Sequence, residues 1–389
     1  MGFEVNKRIS QLKPSATVKV MDMAKNLKRQ GIDVIDLGGG EPDFDSPQLA
    51  IDQAIMGLKD SDTHYVDSRG VKELREGIAR KLKEENAIEV CSETGIIVTP
   101  GGKQALFLAL FTFLNPGDEV LVLDPSWVSY ESIITIAGGV PVRVPLKYED
   151  NYTITIEAVQ SKLTEKTKMI IVNTPNNPSG RMLTDNEASV LEFVIKKFNL
   201  IAVSDEIYEY IRYDERKHLS LGSIETIKDQ VITINGFSKN YAMTGWRLGY
   251  LAASTQLVKS MLKLHQHSTT CVTSFGQAGA IAALDCKEDV EKMLLAYQER
   301  RDYFVTALNE IPGIECPQPD GAFYVMPKIT HKEMDSFALA DLLLNECNIA
   351  CTPGQAFSED IKHCVRMSFA TSIDQLEKAV KRLMTYFRA

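Results

Sequence analysis

The stretch that says most about this chain runs from residue 234 to residue 249 and reads Ile234-Asn-Gly-Phe-Ser-Lys239-Asn-Tyr-Ala-Met-Thr-Gly-Trp-Arg247-Leu-Gly249. It places one lysine, Lys239, at the exit of an apolar strand pattern, with an arginine eight residues further on. A lysine becomes a nucleophile when an apolar wall or a neighbouring cation lowers its pKa, because the neutral amine attacks a carbonyl. The stretch alone therefore has two interpretations, a Schiff-base lysine or a solvated loop lysine.

The segment around Lys239, residues 235–247, is called the lysine loop. It belongs to a longer region, residues 95–253, in which short β-branched runs alternate with helical patterns. This alternation predicts a parallel sheet joined by crossover helices. The predicted strands are Gly95–Thr99, Glu119–Leu123, Val140–Val144, Lys168–Asn173, Leu200–Ser204, Val231–Ile234 and Leu248–Ala252. Open α/β sheets bind ligands beyond the carboxyl ends of their strands. We therefore expect a binding site near the polar or glycine residues at those ends, which are Thr99, Asp124, Asn173, Asp205 and Gly236.

The C-terminal part follows another pattern. A charged helical pattern over residues 290–308 leads into Gly321-Ala-Phe-Tyr324, and shorter strand and helix signals continue from there. This predicts a smaller α/β unit, which the segment before Asp33 would join. We expect a large domain of residues 33–285 and a small domain formed by residues 1–32 and 286–389. A chain of 389 residues is long enough for two such cores.

The composition argues against several classes of protein. Apolar residues make up 44% and charged residues 24%, as in ordinary soluble globular proteins. A net charge of -9 disfavours a surface for nucleic acid or anionic membranes. The cysteines are scattered without CxxC spacing, so we expect neither a metal site nor a disulfide framework. Without a signal-like apolar N-terminus or a run of transmembrane length, the sequence predicts a cytoplasmic location.

Two glycine-rich segments invite a phosphate-binding interpretation. Gly101-Gly102-Lys103-Gln104 follows a predicted strand and opens a predicted helix over residues 105–113. Free N–H groups at a helix N-terminus bind phosphate, and glycine lets the backbone approach closely. Tight packing in a strand-to-helix turn is the alternative, and the spacing does not match a Walker loop. Gly38-Gly39-Gly40 likewise lacks the spacing of a dinucleotide-binding fingerprint.

Asp205 and Tyr208 follow a predicted strand and carry chemistry of their own. A carboxylate held at a buried strand end can keep a pyridinium nitrogen protonated, and that makes the ring an electron sink. The alternative for Asp205 is an ordinary helix N-cap. Tyr208 could donate a hydrogen bond to a phenolate oxygen, or it could simply pack against its neighbours.

Three further side chains have two interpretations each. Asn177 lies in the rigid turn Asn173-Thr-Pro-Asn-Asn-Pro-Ser-Gly180 and could offer its amide to a ring oxygen, although Asn-Pro turns are common. Trp127 could stack on a planar ring or pack in the core. Arg366 lies in the strand-like run Cys364–Phe369. Its guanidinium could bind a carboxylate with two nitrogens, or it could face water from an edge strand.

Taken together, these motifs resemble the fold-type I aminotransferases that depend on pyridoxal 5'-phosphate (PLP). Gly236-x-Ser238-Lys239 followed by Arg247-Leu248-Gly249 matches the family's cofactor-lysine signature. Within the family, the chain looks most similar to bacterial and archaeal aspartate aminotransferases, in the strings Lys13–Thr17, Gly40–Phe44, Gly101–Phe107, Trp127–Tyr130, Ser204–Tyr208 and Arg366–Thr371. The resemblance implies the α/β fold of PLP-dependent transferases of fold type I, with a mostly parallel central sheet in a large domain and a smaller α/β domain.

The resemblance also implies how the cofactor would be bound. Lys239 would be the catalytic residue, forming the Schiff base with PLP and moving the substrate proton. Tyr65 would reach the phosphate in the neighbouring subunit, which implies a homodimer with shared active sites. The other contacts would come from Asp205 at the pyridine nitrogen, Tyr208 and Asn177 at the ring oxygen, Trp127 stacked on the ring, and Gly102, Lys103 (through its backbone), Ser238 and Arg247 at the phosphate.

For the substrate, the resemblance implies that Arg366 binds the α-carboxylate with help from Gly40, Trp127 and Asn177. Lys103 and Thr17 match a lysine and a threonine that this subgroup uses for a second carboxylate. The expected reaction is ping-pong transamination between an L-amino acid and a 2-oxo acid, with L-aspartate and 2-oxoglutarate giving oxaloacetate and L-glutamate. The alternatives are a prephenate, aromatic or broad-specificity aminotransferase, and a non-catalytic PLP-binding regulator.

Overall fold

The structure is a computed structural model that describes residues 3–12, 16–331 and 333–388, without the side chains of residues 16–19 and 21. Its helices are α1 (Lys7–Ser10), α2 (Ala16–Arg29), α3 (Gln48–Lys59), α4 (Lys72–Asn86), α5 (Gly102–Phe113), α6 (Ser129–Ala137), α7 (Ile156–Gln160), α8 (Asp185–Phe198), α9 (Thr255–Ser268), α10 (Ser274–Ala283), α11 (Lys287–Asn309), α12 (Ser336–Cys347) and α13 (Ile373–Phe387). Its strands are β1 (Ile35–Asp36), β2 (Ile96–Thr99), β3 (Glu119–Asp124), β4 (Val140–Pro145), β5 (Thr167–Asn173), β6 (Ile201–Asp205), β7 (Val231–Gly236), β8 (Gly249–Ala252), β9 (Ile314–Glu315), β10 (Tyr324–Val325), β11 (Lys328–Ile329), β12 (Ile349–Ala350), β13 (Thr352–Pro353) and β14 (Val365–Ser368).

The largest sheet has the strand order β2-β8-β7-β6-β5-β3-β4. Strands β7, β6, β5, β3 and β4 pair in parallel, whereas β8 runs antiparallel to both β2 and β7. The predicted mostly parallel central sheet is therefore confirmed. Apart from the edge strand β4, its strands are largely buried because helices cover both faces, as expected for strands joined by crossover helices.

Each face of this sheet has its own core. On one face, α5, α6 and α9 pack against the strands through residues such as Leu106, Ile134 and Met261. On the other face, α4 and α10 pack through Leu82 and Ala283 at one end, and α8 packs at the other. The parallel strands between them end at the same edge, and the register sets Asn173 of β5 beside Asp205 of β6.

The C-terminal part builds a separate core from short strands and long helices. Strand β14 lies between β10 and β13 in an antiparallel sheet, and β1 pairs with β12 in parallel. Helices α11, α12 and α13 bury aromatic and aliphatic side chains against these strands, among them Phe304, Leu343 and Leu383. No helix within the described ranges is long and apolar enough to span a membrane.

Candidate active site

A cleft of about 450 Å³ opens at the carboxyl edge of the central sheet. It is bordered on the other side by β10 and β14, which contribute Tyr324 and Arg366. Most of the site residues expected from the sequence line this one cleft, namely Gly40, Gly102, Lys103, Trp127, Asn177, Asp205, Tyr208, Ser238, Lys239, Arg247 and Arg366.

Lys239 follows β7 and extends its amine into the cleft. Its Nζ donates a hydrogen bond to the carbonyl of Gly40. Burial lowers the pKa of Lys239 to about 8; the carboxylate of Glu41 opposes this shift, and the cations Arg247 and Arg366 add to it. A substantial fraction of the amine is therefore neutral near pH 8, the form that reacts with carbonyl groups.

Asp205 ends β6 and is only 8% exposed. Its Oδ2 accepts a hydrogen bond of 2.7 Å from the Tyr130 hydroxyl, and its Oδ1 accepts one of 3.3 Å from the backbone N–H of Ile207. Burial raises the pKa of Asp205 to about 6, against the effect of those hydrogen bonds. The carboxyl group is thus held in one orientation, ready to pair with a cationic donor.

Tyr130 is a site residue that sequence reasoning missed. It lies three positions after Trp127, near the start of α6, and the two rings meet edge to face at 5.4 Å. The string Trp127–Tyr130 was recognised, but only the tryptophan received a role. Trp127 precedes α6, so the two residues share no helical spacing, and no local signal in the sequence points to the contact of Tyr130 with Asp205.

The N-terminus of α5 forms an anion cradle with the loop around Arg247. Gly101 has φ +80°, and a Cβ there would lie 2.5 Å from Arg247 Nη2. A Cβ on Gly249 would lie 2.6 Å from the backbone of Gly101 and Gly102. The helix begins at Gly102, earlier than the predicted start at residue 105, so its free N–H groups face the cleft together with Ser238.

Trp127 and Lys103 form one wall of the cleft. The Lys103 ammonium lies 4.8 Å from the centre of the Trp127 ring, within the range of a cation–π interaction. Partial burial and the neighbouring charge of Arg247 lower the pKa of Lys103. Lys103 thus brings a cation into the cleft in addition to Lys239, Arg247 and Arg366.

Arg366 lies on β14 and is only 2% exposed. Because β14 is the middle strand of its sheet, the alternative of an edge-strand arginine facing water is wrong. Its guanidinium lies between the rings of Tyr324 and Phe357, at 4.3 and 4.9 Å. Nη1 donates to Asn177 Oδ1 at 2.9 Å and Nη2 to the Gly38 carbonyl at 2.7 Å.

The Arg366 guanidinium still has capacity to bind an anion. Its Nε is buried and has no hydrogen-bond partner in the described part of the chain. Burial lowers the pKa of Arg366 below its usual value. A buried cation with an unused donor, opening on a cleft, is well suited to a carboxylate.

Tyr324 and Glu41 are further cleft residues to which the sequence analysis assigned no role. The hydroxyls of Tyr324 and Tyr208 are 3.0 Å apart and share a hydrogen bond. A Cβ on Gly40 would lie 2.6 Å from the Tyr324 hydroxyl, so glycine is needed there for the close approach. Glu41 accepts a hydrogen bond from Thr244 at the mouth of the cleft.

Two expected site residues are not brought into the cleft. Tyr65 is 86% exposed and is not among the described residues that line it. Its expected role requires a second subunit and stays a prediction. Thr17 falls in α2, and its side chain lies outside the described residues, so its role also stays a prediction.

Comparison with known proteins shows which family the chain resembles. The family described as aminotransferase class I and II matches residues 32–383. An aspartate aminotransferase of Musicola paradisiaca is 42% identical over 375 residues, which cover 96% of this chain and 94% of that protein. A probable aspartate/prephenate aminotransferase of Aquifex aeolicus is 40% identical over 384 residues, covering 97% of this chain and 96% of that protein.

Among solved structures, the aspartate aminotransferase of Thermus thermophilus with maleate matches with a TM-score of 0.94 and 38% identity. The match covers 99% of this chain and 100% of that one. The fold, the cleft and these similarities lead to one conclusion. The chain is an enzyme and belongs to the class I and II aminotransferase family.

Proposed function

We propose that this enzyme uses PLP to transfer the amino group of L-aspartate to 2-oxoglutarate, giving oxaloacetate and L-glutamate. The observation that carries the proposal is the meeting of three groups in one cleft. Lys239 supplies an amine whose pKa is about 8, Asp205 a buried carboxyl group, and Arg366 a buried guanidinium. These are the groups needed to bind an aldehyde, a pyridinium nitrogen and a carboxylate.

The residues of the cleft fit PLP. The cradle formed by the N-terminus of α5, Ser238 and Arg247 suits a phosphate, because it offers N–H donors and a cation side by side. Gly101 and Gly249 permit this close packing, since a Cβ on either residue would meet Arg247 or the start of α5. Asp205, fixed by Tyr130, suits a protonated pyridine nitrogen. When bound, PLP supplies an electron sink that stabilises negative charge at the α-carbon of the amino acid.

The chain's own residues would then orient the reactants and move the proton. Lys239 Nζ, once free, would accept the proton from the amino acid's α-carbon and donate it to the C4' carbon of the cofactor. Tyr208 and Asn177 orient the ring through its hydroxyl oxygen. Trp127 covers the ring and excludes water from one side of it.

A dicarboxylic substrate is supported by the cations in the cleft. Arg366 would bind the α-carboxylate, assisted by Gly40, Trp127 and Asn177. The Lys103 ammonium, held against Trp127, would bind the second carboxylate. We extend this role to Thr17 from the sequence resemblance. The relatives named aspartate aminotransferase support the same substrate.

We also propose a homodimer with shared active sites. Helix α3 leaves several large apolar side chains exposed, namely Leu49, Ile55, Met56 and Leu58, each between 43% and 51% exposed. A surface of this kind is typical of a protein interface. Tyr65 follows α3 and is 86% exposed, so a second copy docked here could receive its hydroxyl.

The two packing units suggest how the domains divide. We propose a large domain of residues 33–285, built on the central sheet, and a small domain of residues 1–32 and 286–389. Closure of the small domain over bound substrate would bring Arg366 into place and exclude water. The cytoplasmic location and the absence of a metal or nucleic-acid partner stay predictions.

A prephenate aminotransferase is the second candidate. It is favoured by the similarity to the Aquifex aeolicus protein, whose name includes prephenate. Prephenate also carries two carboxylates, so the same pair of cations could bind it. Rates measured with aspartate as the amino donor and with either 2-oxoglutarate or prephenate as the acceptor separate the two functions.

The proposal is tested with purified protein supplied with PLP. We expect a visible absorbance band that depends on pH, and oxaloacetate formation from aspartate and 2-oxoglutarate. Lys239→Ala should lose both the band and at least about a thousandfold of the activity. A colourless wild-type protein would contradict the cofactor, whereas a coloured protein that makes no oxaloacetate would contradict the substrate.

A further inference from the structure

A buried polar network lies outside the cleft, next to the segments that carry Asp205 and Lys239. We call it the Glu209 network and define it by Lys81, Asn86, Glu206, Glu209, Ser220 and Asn240. Each of these residues is at most 6% exposed. Its residues come from α4, from the segment after β6 and from the lysine loop after β7.

Glu209 is the centre of the network. Its Oε1 accepts a hydrogen bond from the Lys81 ammonium and one of 3.4 Å from Asn240 Nδ2, and its Oε2 accepts one of 2.7 Å from Asn86 Nδ2. Burial acts to raise the pKa of Glu209, but Lys81, His218 and Asn86 outweigh it, so the pKa lies below its usual value. The carboxylate is therefore ionised and fully used as an acceptor.

The network joins the segment that carries Lys239 to the segment that carries Asp205 and Tyr208, through residues that are adjacent to these cleft residues in sequence. Asn240 directly follows Lys239, and Glu209 directly follows Tyr208. Besides its bond to Glu209, the Asn240 side chain accepts a hydrogen bond of 3.4 Å from the backbone N–H of Tyr210. The side-chain amide of Asn240 therefore holds the lysine loop to the segment after Asp205 with two hydrogen bonds. Its nitrogen donates to Glu209, and its oxygen accepts from Tyr210.

Glu206 holds the start of the segment that follows Asp205. It directly follows Asp205, and its oxygens accept hydrogen bonds from Ser204 at 2.7 Å and Ser220 at 2.6 Å. Ser220 in turn accepts from Asn86, at 2.8 Å, on the same helix as Lys81. Helix α4 thus holds the residues on either side of Tyr208 without entering the cleft.

Two other roles for the network fit the contacts less well. Glu206, Glu209 and His218 offer oxygens and a nitrogen within 4.8 Å of one another, as in a metal site. However, the Lys81 ammonium already supplies the positive charge at Glu209. A role in stability alone is also unsatisfactory, because buried ion pairs are often no more stabilising than apolar side chains of the same size.

We infer that Glu209 and Asn240 are positioning residues that fix Lys239 relative to Asp205 and Tyr208. The inference rests on the proposed function, because those three residues act on the cofactor and substrate. A displacement of about 1 Å in a reacting group can cost about a hundredfold in rate. The network acts through its neighbours and touches no reacting atom.

The test uses the holoenzyme and the variants Glu209→Gln, Asn240→Ala and Lys81→Met/Glu209→Leu, with Lys83→Met as control. Lys83 lies on the same helix, and its side chain is 67% exposed. The readouts are the pH midpoint of the visible band, kcat and KM for aspartate, and the melting temperature. The double variant removes both charges together, so that no unpaired charge is left buried if Glu209→Gln fails to fold.

We expect the midpoint to move by at least about half a pH unit and kcat to fall at least about tenfold in the variants that fold, with KM within about twofold. Lys83→Met should match the wild type. A lower melting temperature with an unchanged midpoint and kcat would overturn the inference and leave a purely structural network. A wild type without a visible band would instead overturn the proposed function, and this inference with it.

Discussion

At the residue scale, Asp205 illustrates how a buried carboxyl group in the cleft can lower the free energy of unfolding. Burial raises its pKa from the usual 3.8 to about 6. Between these values the folded protein keeps a proton that the unfolded chain has lost, so the free energy of unfolding falls as pH rises through this window. Above it, the penalty reaches about 3 kcal/mol, since each pKa unit corresponds to about 1.4 kcal/mol.

Asp205→Asn should therefore stabilise the protein without its cofactor while it removes activity. We expect the free energy of unfolding at pH 7.5 to rise by about 2 kcal/mol, after about 1 kcal/mol is lost with one hydrogen bond. At pH 5 the gain should be smaller by about 1 kcal/mol. Urea unfolding at both pH values measures it, with the exposed Asp341→Asn as control. A less stable Asp205→Asn protein at pH 7.5 would contradict this account.

Glu41 provides a second test at the residue scale. Its carboxylate at the mouth of the cleft counteracts the lowering of the Lys239 pKa. Glu41→Gln should therefore move that pKa below about 8. The pH dependence of the rate at which the cofactor-free protein captures PLP reports the pKa, because only the neutral amine reacts. Glu84→Gln, an exposed glutamate on α4, is the control, and an unmoved or higher midpoint in Glu41→Gln would refute the expectation.

The residues that sequence reasoning found and missed differ in how the fold brings them to the cleft. Lys239 and Asp205 lie at strand ends, and the edge of a parallel sheet collects such residues whatever the strand order. Tyr130 and Tyr324 are instead brought to the cleft by the packing of elements that are distant in sequence. Tyr130 contacts Asp205 from 75 positions away, and Tyr324 contacts Tyr208 from 116 positions away. No local pattern in the sequence encodes contacts of this kind.

At the scale of elements, the strands were predictable and their arrangement was not. The predicted strands lie within one or two residues of β2 to β8, because each is a short β-branched run between turn residues. The position of β8 between β2 and β7, antiparallel to both, does not follow from its composition. Its consequence is functional, because β8 brings Gly249 against the start of α5.

The contact of Gly249 with the start of α5 gives a prediction for the anion cradle. The Cβ of Gly249→Ala would lie 2.6 Å from the Gly101 and Gly102 backbone, so the N-terminus of α5 must move. We expect the dissociation constant of PLP to rise at least about tenfold, which corresponds to about 1.4 kcal/mol. Gly39→Ala is the matched control, since nothing lies within 4 Å of its added Cβ. Equal PLP affinity in the two variants would argue against the cradle.

At the scale of the whole molecule, the cleft depends on both packing units. The central sheet supplies Lys239 and Asp205, whereas β14 supplies Arg366. The Arg366 guanidinium donates a hydrogen bond to Asn177, in the turn that follows β5 of the central sheet. Tyr324 makes a second bridge through the Tyr208 hydroxyl. A movement of the C-terminal unit would therefore change the substrate end of the cleft and leave the lysine loop in place.

The proposed dimer extends this dependence to a second chain, and it can be tested by complementation. In a heterodimer of one Lys239→Ala subunit and one Tyr65→Ala subunit, one site lacks both side chains and the other has both, since Tyr65 would act on its neighbour's site. Lys239→Ala alone should be inactive, and we expect Tyr65→Ala to weaken PLP binding at least about tenfold. Subunit exchange between the two variants should therefore raise activity at limiting PLP above that of either parent. If Tyr65 instead acted within its own subunit, mixing would restore nothing, because the Lys239-containing site would still lack the tyrosine.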